Sequence, residues 1–480
     1  MAQLSSLPNE IIDSLLELIP RSDLLVLCRV SRSLRHPAER FLYAAISLDW
    51  DYHKVPPIVP LLRTLLQRPE LFAYVESVSL VGDEFSDGTL PTPLNTTIIP
   101  LDQLQVAIER TQVPYINLWV DQLKSGSGSM DALVGLLIAN LSKIRFLAIT
   151  HNFINGFQIV SQVLRSKILG QIPDYSAVFG RLPKFEQLNQ VIYSKLRSSA
   201  ENDNISTDVL SLFYLPTAKD LVVNIPNPGI TFKWPAGELN FSHLTSLEVD
   251  WVYPRCLAKI LLHTPNLKSL YWNWQYRTDA TEGSDSFLDY GHIMKALLPL
   301  KITLEKLYFR LDEDSLENVA EDFAMVGSWD GLRDFKRLVH LDMPLVSLAG
   351  VDYTPESIDQ HLPDTLETLY LTPSILAEED VVLWVSYPEG VPEEDDDESD
   401  MEDDWYPEQY IFKVIKALAE KCPQRLPRLY RIGLLGKGGG WTTRMVPLMS
   451  EASLEYDIEF QVIHEPHWHR RHLPDYVWDN

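Results

Sequence analysis

Apolar residues recur along this chain at positions i, i+3 and i+5, first at residue 75 and last at residue 429. The spacing appears at Val75-Val78-Leu80, Val113-Ile116-Leu118, Ile144-Leu147-Ile149, Ala218-Leu221-Val223 and Leu244-Leu247-Val249. It continues at Leu267-Leu270-Trp272, Leu304-Leu307-Phe309, Leu338-Leu341-Met343, Leu366-Leu369-Leu371 and Leu429-Ile432-Leu434. The last two residues of each triad follow the period of a strand with one face turned to a core. Apolar helical stretches and a turn precede several triads, as in "CLAKILLHTPNLKSLYW" and "HIMKALLPLKITLEKLYF". The pattern predicts an α/β chain in which helix, turn and strand repeat as one unit. Through the middle, triads start 26, 23, 37, 34 and 28 residues apart, while gaps of 74 residues before Ala218 and 63 before Leu429 mark insertions. The first insertion holds a helical-looking region, Phe157 to Ser199, and the second an acidic run.

The amino terminus follows another period. In "LPNEIIDSLLELIPRSDLLVLCRVSRSLR" a helix starts near Pro8, with Glu10 suited to the positive end of its dipole. Ile11, Ile12, Leu15, Leu16, Leu18 and Ile19 cover both a 12-15-16-19 stripe and an 11-15-18 stripe. Pro20 ends this helix, Ser22 and Asp23 open a second with Leu24, Leu25 and Leu27, and Ser31 caps a third through Leu34 to Phe41. Three helices in so few residues cannot bury two apolar faces of the first among themselves. Either the rest of the chain covers the surplus face, or a partner does.

Composition narrows the classes. The 480 residues are 45% hydrophobic and 22% charged, ordinary globular usage. No apolar run reaches membrane-spanning length, and "MAQLSSLPNE" lacks a signal core, so the expectation is a soluble cytoplasmic or nuclear protein with no membrane association. Cys28, Cys256 and Cys422 form neither a disulfide framework nor a zinc pattern. A net charge of -26 argues against nucleic-acid binding, because phosphate neutralisation needs clustered cations. Ten acidic residues lie between Glu393 and Asp404, within an insertion at 389–407 expected to be disordered, and Ser399 among them suits an acidophilic kinase.

The amino-terminal residues resemble an F-box, the helical module that docks on the Skp adaptor of cullin-based ubiquitin ligases. Leu7-Pro8, Glu10-Ile11, Leu15, the Pro20 break, Asp23-Leu24-Leu25 and Val30-Ser31 stand at that family's spacing. Leu34 occupies a position where the family often has Trp, and "RHPAERFLYAAI" replaces its usual ending. The resemblance implies an F-box module at 1–46, with Leu7, Pro8, Ile11, Leu15, Val30 and Leu34 as adaptor-binding residues and a cullin reached through the adaptor. The recurring triads resemble the strand signature of leucine-rich repeats, which predicts an irregular solenoid over 47–480. In such a solenoid, positions i+4 and i+6 face a concave surface. The target-binding candidates are therefore Glu248, Asp250, Tyr271, Asn273, Tyr308, Arg310, Asp342 and Tyr370. The tyrosines equally suit simple stacking along the sheet.

Other signals are weaker. "HEPHWHRRH" groups His464, His467, His469 and His472 without a metal-ligand helix spacing, "LLGKGGGW" lacks the remaining residues of a phosphate loop and reads as a loop, and "KSGSGSMD" is a loop by composition. The expectation is a receptor without catalytic residues, metal or cofactor that brings an unidentified protein target to a ligase. The competing expectation is an interaction scaffold of the same repeats, independent of any ligase, whose first helices cap the repeats.

Overall fold

Helices and parallel strands alternate along most of the chain. The computed structural model describes residues 7–51, 55–82, 94, 98–124, 130–150, 153–154, 158–170, 182–194, 206–225, 233–237, 240–250, 252–274, 287–311, 324–349, 358–372, 407–436 and 439–464. Elements up to residue 224 belong to one compact unit and those from residue 240 onward to a second. The acidic run, Ser399 and the histidines beyond His464 lie outside the described residues.

The first unit opens with α1 (Asn9–Glu17), α2 (Arg21–Val30) and α3 (Arg32–Ala44). Pro8 and Pro20 precede the first two, and their carbonyls accept the first-turn amides of Ile11 and Ile12, and of Asp23 and Leu24, at 3.0–3.1 Å. The Ser31 hydroxyl accepts from the Leu34 amide at 3.3 Å, the expected cap on α3. Ile12, Leu16, Leu24, Leu34 and Ala38 form the shared core, with Leu7, Ile19, Leu27, Cys28, Phe41 and Leu42 packed against it.

α3 runs directly into β1 (Ala45–Trp50), so the expected module boundary at residue 46 falls inside a strand. The buried Glu39 carboxylate secures this junction. Both terminal nitrogens of Arg68 donate to it at 2.6 and 2.8 Å, and Arg35 Nε donates at 2.9 Å. Two guanidiniums outweigh the desolvation of this carboxyl and hold it at about 2. Arg68 stands immediately before the short helix Pro69–Tyr74, on which α3 packs.

β1 is followed by α4 (Ile58–Gln67), β2 (Ser77–Gly82), α5 (Leu101–Glu109), α6 (Ile116–Lys124), α7 (Met130–Asn140), β3 (Phe146–Thr150), α8 (Gln158–Leu169), β4 (Gln190–Ser194) and β5 (Asp220–Asn224). These five strands are parallel and ordered as in the chain. α7 is apolar nearly all round and buried along almost its whole length. It is tied to α8 at both ends. Asp131 Oδ2 accepts the Gln158 and Ile159 amides at 2.8 and 2.7 Å and Oδ1 the Val160 amide at 2.8 Å, while Lys167 Nζ donates to the Ala139 and Leu141 carbonyls at 3.3 and 2.6 Å. Asp131 thus supplies acceptors at a helix start and Lys167 donors at a helix end, where backbone groups lack partners within the helix, and burial lowers the Lys167 ammonium to about 7.

In the second unit β6 (Ser246–Asp250), β7 (Ser269–Trp274), β9 (Lys306–Leu311), β11 (His340–Pro344), β12 (Thr368–Thr372), β13 (Arg431–Gly436) and β14 (Glu459–His464) are again parallel and in chain order. Two short strands, β8 (Phe287–Asp289) and β10 (Ala324–Val326), pair separately with each other.

Nine of the ten sequence triads lie in one register, each strand starting two residues after the first apolar position. The residue before each strand repeats one bonding pattern. Lys268 O accepts the Glu305 and Lys306 amides, Glu305 O those of Val339 and His340, and Val339 O those of Glu367 and Thr368. In the first unit Glu76 O receives Arg145 and Phe146, and Arg145 O receives Asn189 and Gln190. The tenth triad, Val113-Ile116-Leu118, is corrected: it enters α6, whose buried Trp119, Val120 and Leu123 follow helical spacing. The region Phe157 to Ser199 is only partly helical, since it also contains β4 at Leu188-Val191-Tyr193. The loop expected after β13 is in fact a helix, Gly439–Tyr456, leading into β14.

Candidate partner-binding surfaces

Two places in the chain collect the residues expected to touch partners. The first is the outer surface of the opening helices. On α1, Ile12 and Leu16 turn inward while Ile11, Leu15 and Leu18 are exposed at 48%, 40% and 81%. On α2, Leu24 is buried, and Ser22, Leu25, Val26, Arg29 and Val30 form an exposed stripe at i, i+3, i+4, i+7 and i+8. Val30 is 72% exposed. Each helix therefore has an inner apolar face that builds the module and an outer apolar face that nothing among the described residues covers.

Of the six adaptor-binding candidates, Pro8, Ile11, Leu15 and Val30 lie outward. Leu34 is corrected: it is buried in the module core and unavailable to a partner, because the third helix packs its apolar stripe inward on α2. Leu7 is half-buried against the same core. Leu18, Leu25 and Val26 are not among the adaptor-binding candidates read from the sequence, although Leu18 belongs to the 11-15-18 stripe and the other two share the stripe of Val30.

The second place is the row of strand residues opposite the triads in the second unit. Register aligns Glu248, Tyr271, Tyr308, Asp342 and Tyr370 across β6, β7, β9, β11 and β12, and aligns Asp250 with Asn273 and Arg310. The structure brings these candidates onto one face, as the period of two requires. It corrects their exposure. Glu248, Asp250, Tyr271, Asn273, Arg310 and Asp342 are all buried, and only Tyr308 and Tyr370 are half-buried.

Burial is offset by mutual contacts. Arg310 Nη2 donates to Asp342 Oδ2 at 2.7 Å, and its guanidinium lies 5.6 Å from the Tyr271 ring centroid. The Tyr271 and Tyr308 rings stack at 5.7 Å, and the row continues through His340 at 4.6 Å to Tyr370 at 5.2 Å. His340 escaped the sequence reading because it sits at the start of its strand, outside the two positions considered. Burial, with Lys306 and Arg310 nearby, lowers its imidazole to about 4, so it is neutral at pH 7. Burial pushes the Tyr271 phenol upward, so that it too stays neutral. The row ends on Gly433, where an added Cβ would lie 2.2 Å from Tyr370 Cδ1, so the glycine leaves room for the ring. Stacking along the sheet is the observed role of these aromatics, and the accessible part of the row is Tyr308, His340 and Tyr370.

Among the described residues, no three His, Cys, Asp or Glu side chains lie together as a metal ion would require. No helix among them is long and apolar enough to cross a membrane. No protein-family model matches the chain and no curated protein matches it.

Proposed function

We propose that this chain is the target-recognition subunit of a cullin-based ubiquitin ligase, with α1–α3 acting as an F-box-type module and the strand-helix units as leucine-rich-repeat-like recognition repeats. One observation carries the reading: the outer faces of α1 and α2 are apolar and exposed in a module whose inner core is already complete. An apolar stripe left in water is a binding surface in waiting, and these two stripes include Ile11, Leu15 and Val30, which stand at F-box positions. Capping of the repeats, the role a ligase-free scaffold would give these helices, involves α3 through Glu39 and β1. It leaves the outer stripes of α1 and α2 unexplained.

In this reading the module holds a Skp-type adaptor and the repeats hold a protein target. Ubiquitin transfer is carried out by other subunits, and the chain raises the effective concentration of target lysines near them. The half-buried Tyr308, His340 and Tyr370 are the part of the strand face offered to the target. The test is binding of the purified chain to a Skp-type adaptor, comparing wild type with Leu15→Ala, Val30→Ala. Binding by the wild type and its loss in a variant of unchanged thermal stability support the reading. Absence of wild-type binding overturns it in favour of the scaffold.

A further inference from the structure

Two rows of apolar side chains run across the strands of the second unit. The row through Leu270 and Leu341 ends at Ile432 and then Phe460, and the row through Trp272 and Met343 ends at Leu434 and then Val462. On each strand of this sheet from β6 to β13 the members are no more than 1% exposed. On β14 both are half-buried. The edge strand of the first unit differs, since the inward Ile46, Leu48 and Trp50 of β1 are buried. A stack of repeats ordinarily closes with a polar outer face, and β14 does not supply one. Its backbone is open as well. Among the described residues β14 pairs with β13 alone. The Glu459 amide donates to Tyr430 O at 2.8 Å, so Glu459, Gln461 and Ile463 bond toward β13, and the backbone groups of Phe460, Val462 and His464 point away from it. One of these is occupied, because the Phe460 amide donates to Ser453 Oγ at 3.1 Å. Ser453 lies on the helix Gly439–Tyr456, and Val446, about two turns earlier on the same side, is exposed. Glu455, on the opposite side of that helix, pairs with Lys416 of the preceding helix Pro407–Arg425 at 3.1 Å. The free edge of β14 and the exposed flank of its helix therefore lie together at the end of the unit.

We propose that this end is an interface between two copies of the chain, joined by antiparallel pairing of β14 with β14 of the second copy about Val462. In that register the Val462 amide and carbonyl of each copy bond those of the other, and each His464 amide meets the opposing Phe460 carbonyl. The pairing uses the outward groups that Ser453 leaves open. Opposed residues share a face of the sheet, so Val462 meets its own counterpart and each copy covers the open core rows of the other, as a two-fold interface requires. The local sequence suits a second copy in particular. Edge strands are commonly blunted by lysine, proline or other charges, and the stretch from Phe460 to His464 holds no lysine, proline or acid. A chain of net charge -26 thus sets no like charges opposite one another in this pairing. The pairing involves no residue of α1 or α2 and stands whether or not those helices dock an adaptor.

The test is sedimentation of the purified full chain over a wide concentration range, with amide exchange as the local readout. The wild type is expected to double in mass as concentration rises, with slowed exchange at Val462 and His464. Val462→Pro removes an outward amide while Gln461 and Ile463 keep their bonds toward β13, a substitution that edge strands accept. It is expected to weaken the dimer about tenfold or more, because about half of the inter-chain hydrogen bonds are lost. Val462→Lys sets like charges face to face on the two-fold axis and is expected to do the same, while in the monomer its long side chain reaches water. Thermal melts at low concentration, where every form is monomeric, establish that each variant is folded. A wild type that stays monomeric overturns the pairing. So does a dimer that forms without slowed exchange at Val462, or one of undiminished affinity in either folded variant.

Discussion

Glu39 offers the most direct way to ask whether the opening helices are rigidly joined to the strands that follow. Its carboxyl titrates at about 2 in the folded chain against 4.5 for an unperturbed glutamate. A folded pKa below the unfolded one means that the charged group stabilises the fold above about pH 4.5 and that this contribution disappears as pH falls toward 2. At about 1.4 kcal/mol per pKa unit the full difference amounts to about 3 kcal/mol, an upper figure, because Arg35 and Arg68 remain partly in water. Glu39→Gln retains one acceptor for Arg68, so the expected cost at pH 7 is about 1–3 kcal/mol. Hydrogen exchange reads this locally, in α3, β1 and the helix Pro69–Tyr74. A loss of that size speeds exchange there by about 5- to 150-fold and leaves the strands beyond residue 240 unchanged. By pH 3 less than about half of the wild-type advantage survives, since the unfolded carboxyl is then almost fully protonated and the folded one is not. Equal exchange in variant and wild type at pH 7, or a gap of the same size at pH 3, refutes the reasoning.

Further substitutions test the packing. Leu16→Ala, in the core of the module, is expected to cost about 2–5 kcal/mol, whereas the neighbouring Leu15→Ala changes stability by less than about 0.5 kcal/mol; thermal melts of the two variants check this. Asp131→Ala strips three amides, those of Ile159 and Val160 buried, of their acceptor and is expected to cost about 2–3 kcal/mol, seen as faster exchange at the start of α8. Gly433→Ala drives a methyl group into the Tyr370 ring and is expected to destabilise by about 1–3 kcal/mol. Combining it with Tyr370→Ala should cost less than the sum of the two, and strict additivity in that cycle would show that the ring does not lie over the glycine.

The strand positions were legible because each unit repeats one demand: an apolar residue before the strand and two more on its inner face. The units that escaped did so for local reasons. Asp457, with a φ of 55°, stands where β14 should have its first apolar residue, and β4 lies within a stretch whose composition favours helix. Val113-Ile116-Leu118 satisfied the strand spacing and runs into α6, whose Trp119, Val120 and Leu123 are buried at helical spacing. Short apolar spacings do not distinguish the two until the neighbouring residues are packed.

Sequence alone determined the alternation of helix and parallel strand, the prolines and Ser31 that delimit the three opening helices, and the presence of more apolar residues on α1 than a small core uses. It also determined that Glu248, Tyr271, Tyr308, Asp342 and Tyr370 share a face, because side-chain alternation along a strand is a property of the backbone. Only the tertiary structure decided which surfaces meet water. Leu34 and Leu15 are the same residue type, yet Leu34 is 7% and Leu15 40% exposed, and the charged strand residues expected at an open surface are buried around Arg310. The reason is that periodicity specifies direction relative to a residue's own helix or strand, while burial depends on what the rest of the chain lays over that direction.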